Sequence, residues 1–143
     1  MYIYAQYISH PYHLHIMIMI LFRSKEKFQL FLVKEKIVLI GDFNSRTGQN
    51  PDFIEKDSSQ INDFDGVDLL SPDYVTDTEL KRVNQDFIIN SHGKTLLDLC
   101  LSSRLRILNG RFLGDSLGYF TYMSNNGFSS VDYAILSESP ALS

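Results

Sequence analysis

Ile37-Val38-Leu39-Ile40-Gly41-Asp42-Phe43-Asn44 is the stretch on which the reading of this chain turns. Four consecutive apolar residues, three of them β-branched, are long enough for a short strand covered on both faces. Gly41 then lets the backbone leave the sheet, and Asp42 and Asn44 follow. If the chain stays extended there, residues two apart project to the same side. A carboxylate and a carboxamide would then stand together at the carboxyl end of a buried strand, where open α/β sheets put their chemistry. The same residues also spell an ordinary polar turn, since Gly, Asp and Asn are common turn formers. Both readings predict a strand over 37–41.

Upstream, Tyr2 to Ile8 alternates aromatic and β-branched residues with smaller ones, which predicts a strand ending before His10-Pro11. His13-x-His15 could share a face of an extended segment, as zinc ligands do, but no cysteine or further histidine follows closely. Ile16 to Phe22 is apolar yet far short of the roughly 18 residues of a membrane span. It also lacks the basic region and cleavage site of a signal peptide. From Phe22 to Val33, charged residues give way to Phe28, Leu30, Phe31 and Leu32, which reads as a short amphipathic helix or, at its apolar end, a strand. Strand, helix, strand is the unit of a parallel sheet.

Downstream, Gln49 to Leu80 has little periodicity and is rich in Asp, Ser and Asn, so it reads as a long irregular loop. Asn62 to Asp68 is similar to a calcium loop, but the ligand spacing is wrong and the closing Glu is absent. Asn90 or Ser91 can cap a helix over roughly 93–103, with Leu96, Leu97, Leu99 and Cys100 as its apolar face. Leu105 to Leu108 reads as a strand ending in Asn109-Gly110. Two more strands, 119–123 and 130–136, are joined by a turn at Asn125-Asn126-Gly127. Asp132 interrupts the apolar run of the last strand and, if buried, needs a partner.

A length of 143 residues fits one domain or a large part of one. With 44% hydrophobic and 13% aromatic residues, the chain is not of the disordered class. The lone Cys100 excludes an internal disulfide, fits a reducing, intracellular setting and reads as a core residue. The net charge of −4 is segregated: nine acidic and one basic residue between Gln49 and Leu80, against eight acidic and twelve basic elsewhere. A polyanion could approach the second part, or the acidic loop could simply be solvated.

These pieces together resemble the endonuclease/exonuclease/phosphatase family, the DNase-I-like metal-dependent phosphodiesterases, and within it the non-LTR retrotransposon branch. Gly41-Asp42-Phe43-Asn44 is similar to the GDxN motif, and Ser130-Val131-Asp132-Tyr133 to the later D-Y strand, with Ser where Arg is common. Asn90-Ser91-His92-Gly93-Lys94, Leu97-Asp98-Leu99-Cys100, Asn109-Gly110-Arg111, Gly114-Asp115 and Phe120-Thr121-Tyr122 resemble the retrotransposon branch. The match runs from about Tyr2 to Ser137.

The resemblance implies a four-layer α/β sandwich, of which this chain holds the later part, and a Mg2+ site at one end. It implies that Asp42 orients or deprotonates the attacking water, that Asn44 contacts the scissile phosphate, that Asp42 and Asn44 belong to the metal site, and that Asp132 partners a histidine. Tyr7 is similar to an active-site Tyr in a Y-x-P context, although Pro11 here lies four positions on. The strand with the metal-binding Glu and the later Ser-Asp-His have no counterparts in residues 1–143. The expectation is therefore a partial domain, with a longer polyprotein as the remainder, whose ancestral chemistry is Mg-dependent hydrolysis of DNA and which has little activity alone. The alternatives are a non-enzymatic remnant binding nucleic acid or protein, and a phosphatase-like hydrolase of a small phosphoester.

Overall fold

A computed structural model of the chain describes residues 2–9, 15–23, 26–33, 36–57 and 73–137, with side-chain surroundings given for 37–57 and 73–137. The elements are β1 (Tyr2–Ser9), β2 (His15–Arg23), β3 (Glu26–Val33), β4 (Lys36–Asp42), α1 (Ser91–Ser103), β5 (Leu105–Ile107), β6 (Tyr122–Ser124), β7 (Gly127–Ser129) and β8 (Asp132–Ser137). Six strands make one sheet in the order β1-β2-β3-β4-β8-β5, and each neighbouring pair is antiparallel. Strands β6 and β7 form a separate hairpin. The chain is thus mixed α/β, built from antiparallel strands with one helix among the described residues.

Two expectations are corrected here. The helix over 22–33 is absent: Phe22 and Arg23 end β2, and Glu26–Val33 is a strand paired with both neighbours. Phe28, Phe31 and Val33 favour a pleated surface, and so short a helix would be marginal without strong packing. The sheet is consequently not parallel, since the two residues between β2 and β3 cannot make the long crossover a parallel pair needs. Of the two strands placed at 119–123 and 130–136, the second is β8 in the large sheet. The first pairs, as β6, with Gly127–Ser129 across Asn125-Asn126, outside the large sheet.

Strand β8 inserts between β4 and β5, and its alternation sets the two faces. Tyr133 and Ile135 are buried, as are Leu39 of β4 and Ile107 of β5. Leu96, Leu97 and Cys100 of α1 close over them. That spacing puts the three on one helix face, and each fully buried Leu or Ile contributes about 1.5–3 kcal/mol. Burial pushes the Cys100 thiol up to about 12, in keeping with a core residue. The helix starts at Asn90, whose Oδ1 accepts from Gly93 N–H at 2.7 Å. It stops at Arg104, in the left-handed region at φ 50°, whose N–H donates to the Cys100 carbonyl.

The described parts of the acidic segment, 49–57 and 73–80, form no helix or strand. They are nevertheless anchored. Asp52, fully buried, accepts from the Ile107 N–H at 2.7 Å and pairs with Arg111 at 2.5 Å. Asp77 pairs with Arg106 and accepts from the Ile54 N–H. Residues 62–68, with their likeness to a calcium loop, and His13 lie outside the described residues.

Candidate functional site

Asp42 ends β4 and Asp132 begins β8, and the register sets them directly opposite each other. Directly opposed residues project to one face, with Cβ atoms about 4.5–5.5 Å apart. Buried Leu39 and Ile135 are partners on the α1 face, so Asp42 and Asp132 share the other face with the Ile40–Ala134 pair. Both aspartates are half-buried. The ladder continues one step beyond them, since Phe43 N–H donates to the Val131 carbonyl at 2.9 Å.

Asn44 reaches this end by a turn, not by strand alternation. Its φ is 48°, a left-handed value that Asn tolerates, and its N–H donates to Asp42 Oδ1 at 2.8 Å. The extended geometry expected through Asp42-Phe43-Asn44 is thereby corrected: the carboxylate caps its own turn. The N-terminus of α1 abuts the same loop, with Asn90 Nδ2 3.4 Å and His92 Nδ1 3.3 Å from the Asn44 carbonyl. Gly93 makes the approach possible, because a Cβ there would lie 1.8 Å from the Arg46 carbonyl oxygen.

Three further groups brace the backbone at this end of the sheet. Thr121 Oγ1 accepts from the N–H groups of both Val131 and Asp132, each at 3.0 Å. Asn109 spans β8, donating to the Asp132 carbonyl at 3.2 Å and accepting from the Ala134 N–H at 3.0 Å. Arg46 makes a two-pronged pair with Asp86 at 2.8 and 2.7 Å, and Asp86 also accepts from the Ser130 and Ile88 N–H groups. Burial pushes the Asp86 carboxyl up, but these donors together outweigh it and hold it below the usual carboxylate range. Tyr133, its hydroxyl donating to the Ser130 carbonyl at 2.7 Å, is raised above the ordinary phenol range, mainly by burial.

Beside this end stands the β6–β7 hairpin, whose Tyr122, Met123 and Phe128 are exposed. Phe120 and Phe128 lie with ring centroids 5.6 Å apart. Thr121, next to Phe120, ties the hairpin to Asp132.

Of the residues singled out from sequence, Asp42, Asn44 and Asp132 meet at one end of the sheet. Tyr7 does not join them. It pairs with Met17, in a row running through Leu32 to Ile37, whereas the row of Asp42 runs through Lys27 and Phe22 to Tyr2. Tyr7 is thus three strands across and five residues along from Asp42, roughly 14 Å and 17 Å by strand spacing and rise. Sequence reasoning missed Asn109, Thr121 and His92 as parts of this end. Each lay inside a short motif quoted for its resemblance, but nothing local said that its side chain would brace Asp132 or Asn44.

No protein-family profile, curated protein or solved structure matches the chain. Among the described residues no helix is long and apolar enough to cross a membrane. Nor does any group of three or more His, Cys, Asp or Glu among them form a metal cage.

Proposed function

We propose that the Asp42–Asp132 end is a phosphodiester site of the endonuclease/exonuclease/phosphatase type, directed at DNA as in the retrotransposon branch. The observation that carries this reading is the pair of opposed carboxylates, joined to Asn44 and braced by Asn109 and Thr121. Two like charges directly opposite each other destabilise a sheet, although Lys27 stands in register with Asp42 on its other side. A cation bound between the carboxylates would relieve the repulsion. The exposed aromatic hairpin beside them supports a nucleic acid over a small phosphoester, because bases stack on such side chains.

The two carboxylates are hard oxygen donors. Mg2+ is ordinarily held by one or two carboxylates with substrate phosphate oxygens completing its shell, which this pair fits and which needs no all-protein cage. Asp42 and Asp132 would hold it, and when bound it would offset charge on the phosphate oxygens. Asp42 would orient the attacking water while its Oδ1 keeps the Asn44 turn closed; Asn44 and the α1 N-terminus would face the phosphate. The four-layer sandwich belongs to the same proposal: α1 covers one face of the sheet, and the face bearing half-exposed Ile40 is where a second sheet would pack.

The metal-binding Glu and the Ser-Asp-His that the resemblance calls for have no counterparts in residues 1–143, so turnover by this chain alone should be negligible. In a plasmid-nicking assay at millimolar Mg2+, cleavage should not exceed that of Asp42→Ala. In a titration with labelled duplex DNA, Mg2+ should tighten binding to the native chain and leave Asp42→Ala unaffected. Binding that ignores Mg2+ in both would sink the phosphodiester-site reading. Nicking abolished by Asp42→Ala would overturn the inactivity.

A further inference from the structure

The chain carries two Asn-Gly steps in turns, Asn109-Gly110 and Asn126-Gly127, and the fold treats them oppositely. We infer that Asn126 is a site of spontaneous deamidation in the folded protein and that Asn109, with the same local sequence, is protected. The chemistry needs no partner molecule beyond water. The Gly backbone nitrogen attacks the Asn Cγ, losing its proton; the N–Cγ bond forms, the Cγ–NH2 bond breaks, and ammonia leaves. Water then opens the cyclic imide at either carbonyl, giving aspartate or, when the original backbone bond breaks, isoaspartate. Glycine favours the attack because it has no side chain to hinder it.

At Asn109 both reacting groups are held. The carboxamide is hydrogen-bonded at each end, to the Asp132 carbonyl and the Ala134 N–H. The attacking nitrogen of Gly110 donates to Asp115 Oδ2 at 3.2 Å. Gly110 is also packed so closely that a Cβ would lie 1.8 Å from the Val83 carbonyl oxygen, so the backbone has no room to rotate. At Asn126 the side chain is exposed and makes no hydrogen bond among the described residues. A Cβ on Gly127 would meet nothing within 4 Å, and the surrounding strands are three residues each. A two-stranded hairpin of that size opens easily. Aspartate at 126 would add a negative charge at the hairpin tip. Isoaspartate would also lengthen the backbone and dissolve the Ser124–Gly127 pairing.

The test is peptide mapping of the full chain after incubation in mildly alkaline buffer, native and in urea, with isoaspartate detected by enzymatic methylation. In the native chain the Asn126 peptide should convert about tenfold or more faster than the Asn109 peptide, because three hydrogen bonds must open before Asn109 can react. In urea the two rates should converge. Asn126→Gln should remove the native signal and leave the slow Asn109 conversion in place. Equal rates in the native chain, or an Asn126 peptide that stays amidated as long as Asn109, would overturn the inference.

Discussion

Asp52, Asp77 and Asp86 are buried against arginines, whereas Asp42 and Asp132 sit half-buried opposite each other, with Lys27 in register on the far side of Asp42. A buried carboxylate must be paired and hydrogen-bonded, or the fold loses more than it gains. The first three meet that condition and are architecture: they staple 52–57, 73–80 and the run up to Asn90 onto the sheet. The half-buried pair at the sheet end falls outside that condition: Asp42 caps the Asn44 turn, and binding is the proposed reason for keeping the two carboxylates together. The contrast also revises the reading of charge along the chain. Arg106 and Arg111 are spent inside the molecule on the acidic segment, so the excess of basic residues elsewhere is not all available to a polyanion.

The largest effect should come from breaking a staple. Asp52→Ala leaves the Ile107 N–H without its acceptor and the Arg111 guanidinium with only the Leu80 and Ile107 carbonyls and no counter-charge. Breaking such a buried pair costs about 3–5 kcal/mol. Urea unfolding measures it, and the double variant Asp52→Leu/Arg111→Met should recover much of the loss. A loss as small as that of an exposed pair would remove the distinction between the two groups of aspartates.

Gly93→Ala tests the link between the core and the site. Alanine is the better helix former by about 1 kcal/mol, yet its Cβ would meet the Arg46 carbonyl at 1.8 Å. The helix must then back away from the 44–47 loop, and a net loss of about 1–3 kcal/mol is expected by denaturation. Gly114→Ala, with nothing within 4 Å, should be close to neutral.

Acid should separate the groups next. The Asp86 carboxyl is held below its ordinary value in the fold, so its contribution is fully present above the unfolded value near 3.8. It is lost as pH falls through the lower folded value. The native chain should therefore lose stability below about pH 4 more steeply than Asp86→Asn, which is already weakened and lacks that titration. Parallel acid limbs in the two proteins would show that Asp86 is not the group responsible.

How much of this was legible in the sequence depends on how local each feature is. The 37–41 strand, the Asn90-capped helix and the buried Cys100 follow from runs and periodicity, and the structure has them. The strand at 26–33 was not legible, because its apolar spacing serves both periods and only pairing with β2 and β4 decides it. The pairing of Asp42 with Asp132 spans ninety positions in sequence. Motif resemblance assigns both residues to one site, but nothing in the residues themselves predicts that they pair in register. The Arg–Asp staples were invisible for the same reason: composition showed an acidic segment and a basic remainder, and only the fold shows that they are partners. Tyr7 illustrates the reverse failure, since a short motif suggested proximity that the strand register does not give.

The smallest effect on stability should carry the most information about function. Asp132→Asn removes one of two opposed like charges but keeps the size and the backbone contacts, because Thr121 and Asn109 hold the Asp132 N–H and carbonyl, not its carboxylate. Relief of a directly opposed like-charge pair is worth about 0.2–1 kcal/mol, so urea unfolding should show the variant unchanged or slightly more stable. The matched change at a staple, Asp86→Asn, weakens a buried two-pronged pair with Arg46 and should destabilise. If Asp132 is retained for binding, the gain in DNA affinity on adding Mg2+ should fall in Asp132→Asn while the Mg-free affinity stays level or rises, since one repulsive charge is gone. A destabilised Asp132→Asn would place Asp132 with the staples and remove the main support for a site at this end of the sheet.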